Sequence, residues 1–138
     1  MSYLLDTNVC IALINGKPPI VRARAQKELH AGAALSISSI SLFELWYGVS
    51  KSRDIDGNTR KLESFLSGPL SVLPFDDEDA ATAGEIRTIT ERAGRPIGAY
   101  DLLIAGQALR RKLTLVTANF REFSRVPALL WQDWANPK

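Results

Sequence analysis

Short apolar runs alternate with amphipathic stretches from one end of the chain to the other. Tyr3-Leu4-Leu5 reads as the end of a short strand, apolar at successive positions as a strand buried on both faces of a parallel sheet must be. Residues 7–15 read as a helix stopped at Asn15-Gly16. Pro18-Pro19 opens a second helix, which runs to about His30-Ala31 and halts at Gly32. Leu35 to Ser38 alternate as a strand, Ser41 starts a helix through Trp46 and Tyr47, and Asp54 to Leu66 form another ending at Gly68-Pro69. Ser71 to Phe75 give a third strand. Asp76 or Asp77 caps a helix to about Ala93, broken at Gly94-Arg95-Pro96. Ala99 to Lys112 are helical, Leu113 to Val116 form a strand, and Ala128 to Trp131 a last one. Such alternation predicts an α/β fold: one domain over residues 1–138, with a central parallel sheet and helices on both faces.

Composition narrows the chemistry more than the fold. The chain is 46% hydrophobic and 23% charged, as an ordinary globular protein is. No apolar run approaches a membrane span and the N-terminus lacks the pattern of a signal peptide, so a cytoplasmic protein with no membrane partner is expected. Cys10 is the only cysteine and His30 the only histidine, which excludes an internal disulfide, a thiolate–zinc cluster and a multi-histidine metal site. A metal held by this chain must be held by oxygen, which favours Mg²⁺ or Mn²⁺. Cys10 itself reads as a small buried apolar residue, and His30, at a helix end, as no general base.

The carboxylates are where the pattern breaks. Asp6 follows the first strand directly, and the carboxyl ends of strands in open α/β sheets are where ligands bind. It is also a natural N-cap for the next helix, with Thr7 and Asn8 placed to orient it. Glu44 lies in Ser41-Leu42-Phe43-Glu44-Leu45-Trp46-Tyr47. Its spacing from Ser41 fits a capping box, yet its apolar neighbours argue for a helix too buried for a capping carboxylate. Asp101 stands in the first turn of an almost wholly apolar helix, where the macrodipole favours an acid and a shared pocket would too. Thr117, Asn119 and Glu122 follow the strand ending at Val116, in what reads as a polar loop and turn. Each has an ordinary structural role. Together they place oxygen ligands at the ends of adjacent strands.

The net charge of +2 conceals an asymmetry if Asp6, Glu44, Asp101 and Glu122 gather in one place. Seventeen basic residues then face eleven remaining acids, many of the former being Arg22, Arg24, Lys27, Lys51, Arg53, Arg110, Arg111, Lys112, Arg121 and Arg125. A basic surface around an acidic pocket suits a polyanion, and solvated helix faces account for the same charges. Asp76 to Asp79 read as capping and dipole acids, and Trp46, Trp131 and Trp134 as core or interface anchors rather than base-stacking platforms.

Four segments and an ending, in order, resemble the PIN-domain ribonucleases, and among them the VapC-type toxins of bacterial toxin–antitoxin pairs. They are Tyr3-Leu4-Leu5-Asp6-Thr7-Asn8, Ser39 to Gly48, Pro96 to Ala105, Leu115 to Phe123, and Arg125-Val126-Pro127-Ala128-Leu129 with Asp133-Trp134. The resemblance implies that Asp6, Glu44 and Asp101 are the acidic metal-site residues, with Mg²⁺-dependent phosphodiester hydrolysis, a homodimer, an RNA substrate that is structured and often tRNA, and inhibition by a cognate antitoxin. The chain departs from the family pattern at Asn119, where many PIN domains carry an acid, so either Asn119 or Glu122 completes the site. Close carboxylates raise one another's pKa unless a divalent cation compensates, and such a cation can activate water for in-line attack on phosphorus. Two alternatives stay open: a catalytically silent binding module with this fold, and an aspartate-nucleophile phosphatase. The latter wants a second Asp where the chain has Asn8.

Overall fold

A computed structural model describes residues 1–136. Its strands are β1 (Ser2–Leu5), β2 (Ala34–Ser38), β3 (Ser71–Leu73), β4 (Thr114–Val116) and β5 (Trp131–Gln132). Its helices are α1 (Thr7–Asn15), α2 (Pro19–His30), α3 (Ser39–Ser50), α4 (Ile55–Leu66), α5 (Asp77–Arg92), α6 (Ala99–Arg110) and α7 (Phe120–Phe123). The strands form one all-parallel sheet in the order β3-β2-β1-β4-β5. β1 is central, and its side chains divide the core. Tyr3 and Leu5 join Val9, Cys10, Ile37, Leu45 and Trp134 on one face, while Leu4 joins Ile104, Ala105, Leu115 and Phe123 on the other.

The chain winds outward from β1 through β2 to β3, then returns to β4 on the other side of β1 and continues to β5. The order reverses between β1 and β4, which opens a crevice at their carboxyl ends. The two strands stay tied there, since the Asp6 N–H donates to Val116 O at 3.0 Å.

Three local expectations need correction. α3 begins at Ser39, with Ser38 as its N-cap donating nothing and accepting from the Ile40 N–H, so Ser41 lies inside the helix and no Ser41–Glu44 capping box forms. The segment after Asn119 is a short helix, not a loop, because Phe120 and Phe123 give it an apolar face and Phe123 is fully buried. The last strand begins at Trp131, where its register with Leu115 starts, rather than at Ala128, whose positive φ of 66° takes the chain out of extended geometry.

Arg110 and Arg111 do not belong to a free basic surface. Asp76 and Asp79 form a capping box at the start of α5, and both arginines, at the end of α6, close onto these acids. Asp79 is fully buried, so it needs these partners, and Arg110 holds the Asp76 carboxyl down to about 2. Arg24 likewise pairs with Glu28 and lies over the Trp134 ring, and Arg22 donates to Leu13 O.

The clasp joins α5 to α6 end to end, and at mid-helix the backbones approach closely at Gly106. A Cβ there would lie 2.7–2.9 Å from Cβ, Cα and N of Ala83, two of them backbone atoms that cannot yield. Gly106→Ala gains helix propensity of up to about 1 kcal/mol but forces the helices apart. We expect a net loss of about 1–3 kcal/mol in denaturant unfolding, the usual cost of overpacking. A variant as stable as the parent would show that α6 tolerates displacement.

Candidate active site

The crevice between β1 and β4 is built from donors that hold acids in place. Asp6 is only 5% exposed and caps α1, its Oδ1 accepting from the Val9 N–H at 2.9 Å. The Thr117 hydroxyl and the Asn8 N–H also favour its charged form. Burial outweighs them, and with the nearby Glu44 it pushes the Asp6 carboxyl above its ordinary range.

Thr7 works on a different acid from the one its position predicts. Its hydroxyl donates to Glu44 Oε1 at 2.7 Å and lies 3.1 Å from the fully buried Ser41 hydroxyl. The start of α1 is thereby fastened to α3 with Glu44 at the junction. Asn8 contributes through its backbone rather than its exposed side chain. Ser41 was legible only as a cap; three residues before Glu44 it shares that acid's face of α3, which is the signal for its role.

Asp101 and Glu122 form the second half of the site. Asp101 sits in the first turn of α6, half-buried, with no side-chain cap preceding it. Glu122, on α7, accepts from the N–H of Gly98, which caps α6, and from Asn119 Nδ2 at 2.8 Å. The same amide nitrogen lies 3.5 Å from Asp101 Oδ2. Asn119 therefore presents its NH₂ to two carboxyls, as the charges demand, and its side chain is a bridging donor here. A Cβ placed on Gly98 would stand 3.4 Å from Glu122 Oε1 and 3.9 Å from Asp101 Oδ2, in ordinary contact with both, so it is the Gly98 N–H rather than its missing side chain that serves the site. Nothing in the spacing of the sequence marks Gly98.

Repulsion is uneven across the site. Desolvation comes first for Asp101, followed by a hydrogen bond to Glu122 and the charges of Glu122, Asp6 and Glu44, and together they push it up to about 7. The Gly98 N–H holds Glu122 low, helped by Asn119 and by the charge of Arg125. Asp101 consequently carries the proton that this pair shares. Thr117 is fully buried, and its hydroxyl accepts from the Asn119 N–H at 2.9 Å.

Asp6, Glu44, Asp101 and Glu122 thus feel one another across a single crevice. They do not stand as a tight cage: among the described residues, no three Asp, Glu, His or Cys side chains are set to hold a metal ion. Asp6 bears the charge of Glu44, and Asp101 bears those of Glu122, Asp6 and Glu44, so the acids lie close enough to interact. The chemistry of the donors nevertheless suits a hard divalent cation. All are oxygens, and a positive ion would offset the desolvation and the repulsion that together raise Asp6 and Asp101.

Comparison with known proteins adds identity to this geometry. Residues 3–129 match the PIN domain family. The chain is 43% identical over 135 residues to the tRNA(fMet)-specific endonuclease VapC of Shigella flexneri, spanning 98% of this chain and 99% of that one. It is 42% identical over 134 residues to ribonuclease VapC2 of Rickettsia felis, spanning 97% and 98%. Among solved structures, VapBC2 of Rickettsia felis bound to a promoter DNA fragment superposes with a TM-score of 0.90 at 41% identity, covering 97% of this chain and 99% of that one. A family match over most of the chain and relatives above 40% identity at nearly full length leave one conclusion. The chain belongs to the PIN-domain family and, within it, to the VapC-type ribonuclease toxins.

Proposed function

We propose that this chain is a Mg²⁺-dependent endoribonuclease that cuts tRNA, with initiator tRNA as its first candidate, and that a small antitoxin neutralises it. The observation that carries the reading is the set of Asp6, Glu44, Asp101 and Glu122 held at mutual electrostatic cost at the carboxyl ends of β1 and β4. Among the described residues neither thiol nor imidazole offers an alternative: Cys10 is fully buried with its thiol pushed up by desolvation, and His30 ends α2. Relatives 43% and 42% identical carry the tRNA(fMet)-specific name, which supports that substrate. The aspartate-nucleophile phosphatase is set aside by the family match.

Asp6, Glu44 and Asp101 would hold the ion, with Glu122 as the fourth charge. Mg²⁺, with Mn²⁺ as a substitute, supplies a Lewis acid that activates water and steadies the charge developing on phosphate oxygens. The chain's own residues do the rest. Thr7 and Ser41 orient Glu44, and Thr117 with the N–H groups of Asn8 and Val9 orients Asp6. Asn119 and the Gly98 N–H fix Glu122, which in turn sets the protonation of Asp101. Asp101, poised at about 7, gives up its proton when a cation replaces it.

The antitoxin has an evident seat. A groove of about 210 Å³ between α1, α3 and α4 is lined by Ile11, Ile14, Leu45, Val49 and Leu62, with Glu44 on its wall. An amphipathic segment could fill it and bring a basic side chain toward the carboxylates. Trp46 and Tyr47, 39% and 59% exposed on α3, extend the apolar surface nearby. A homodimer, as VapC-type toxins form, belongs to this reading too.

Two expected outcomes follow. Inducing the chain in cells and mapping RNA 5′ ends should show cuts in one or a few tRNAs. Asp6→Asn and Asp101→Asn should abolish both cuts and toxicity, and co-expression of an adjacent small gene should restore growth unless Ile11→Asp spoils the groove. Full toxicity in either carboxylate variant would reduce the site to a scaffold and revive the binding module. For the fourth charge, Glu122→Gln should raise the Mg²⁺ needed for half-maximal cleavage about 10–100-fold, as loss of a metal-site partner does, with Asn119→Ala costing less. An unchanged Glu122→Gln beside a crippled Asn119→Ala would reverse that assignment.

A further inference from the structure

Trp134 is core, as an anchor should be, with 1% exposure and its ring edge-on to Tyr3. Trp131 is not. It is 37% exposed on β5, the edge strand of the sheet, and its ring stacks on that of Phe120, which is 47% exposed. The ring centroids are 5.9 Å apart and the planes only 17° from parallel. Leu130 beside it is 63% exposed. Edge strands ordinarily carry charge or a cover against unwanted pairing, so an exposed tryptophan on one, stacked on an exposed phenylalanine of α7, is costly to keep without a use.

Its location supplies the use. Phe120 directly follows Asn119, whose amide bridges Asp101 and Glu122, so the stack begins at the residue next to that bridge. α7 also carries Arg121, exposed, and Arg125 follows the helix with its guanidinium on Pro96 O. Flat aromatic faces beside cations are how proteins hold single-stranded nucleic acid, the bases stacking and the phosphates meeting charge. The groove that suits a helical segment lies elsewhere, between α1, α3 and α4, whereas this surface is formed by two stacked rings.

We infer that Phe120 and Trp131 form a stacking platform for an unpaired nucleobase of the RNA substrate, next to the phosphate that is cut. The platform rests on the ribonuclease reading and adds to it a reason for preferring unpaired, exposed nucleotides such as those of a tRNA loop. A base laid on the free face of the stack would hold the strand while its phosphate reaches Asp6 and Asp101. Trp131 touches no reacting atom, so its effect belongs to substrate binding rather than to the chemical step.

The test uses the full chain in Mg²⁺, a labelled single-stranded RNA with the sequence of a tRNA loop, and two readouts: cleavage kinetics, and equilibrium binding in an Asp6→Asn background. Trp131→Ala should raise KM and Kd about tenfold with kcat unchanged, the usual weight of one stacked base. Trp131→Phe, which keeps a ring, should restore most of the affinity. Phe120→Ser, on the exposed face of α7, should reproduce the loss if Trp131→Ala proves unstable to heat. Unchanged KM and Kd in both Trp131→Ala and Phe120→Ser would overturn the platform. So would a loss of antitoxin affinity with RNA binding intact, which would give the surface to a protein partner. If the Asp6→Asn chain binds RNA through Trp131 but the parent never cuts it, the platform stands and the ribonuclease reading falls.

Discussion

Burial of neighbouring carboxylates, with the repulsion that adds to its cost, is the constraint around which this structure is arranged. Asp6 is buried at the end of the central strand, Glu44 and Asp101 bear on it from α3 and α6, and Glu122 closes the crevice from α7. Three of the four are secured by donors from other parts of the fold: Thr7 for Glu44, Thr117 for Asp6, Asn119 and the Gly98 N–H for Glu122. Those donors offset part of the cost and leave the rest standing, as the raised Asp101 shows. A fold that keeps such an expense at one point has been shaped for something positive to arrive there.

The rest of the architecture serves that confinement. The reversal of strand order beside β1 makes the crevice, and the Asp6 N–H to Val116 O bond keeps its two walls in register. Close contact between Gly106 and Ala83 seats α6 on α5, and the Asp76–Asp79 clasp on Arg110 and Arg111 fixes the far end of that helix. Asp101, at its near end, is placed by both. The basic surface around the site is smaller than composition implies, because Arg24, Arg110 and Arg111 are already paired within the fold.

How much of this can be read from sequence depends on how far apart the interacting residues lie. β1 and Asp6, the Gly16 stop, the Pro19 start and the α5 capping box are local patterns, visible within a few residues. Asp6, Glu44 and Asp101 stood out because each is an acid in apolar company. Long-range partners were another matter. Glu122 could be suspected of pairing with Arg121 or Arg125, yet it accepts from Gly98, 24 residues earlier, and no periodicity announces that bond. Ser41 was misread for the same reason, since the capping-box spacing is real but Ser38 had already capped the helix. Trp131 resembles Trp134 in sequence, but it stands exposed on the edge strand β5 while Trp134, beyond that strand, turns into the core against Tyr3.

A divalent cation entering this crevice would have to displace the proton of Asp101. In the metal-free chain the raised carboxyl binds a proton that the unfolded chain has already lost, so that proton stabilises the fold at low pH. Its contribution fades as pH rises from about 4 through about 7, and Mg²⁺ should make up the loss. Calorimetric titration with Mg²⁺ in buffers of different ionisation enthalpy counts the protons released. The account predicts tighter binding at pH 8 than at pH 5.5, with release of a proton at the lower pH that vanishes at the higher one and in Asp101→Asn. Mg²⁺ binding that is independent of pH and releases no proton, or no binding at either pH, would contradict it.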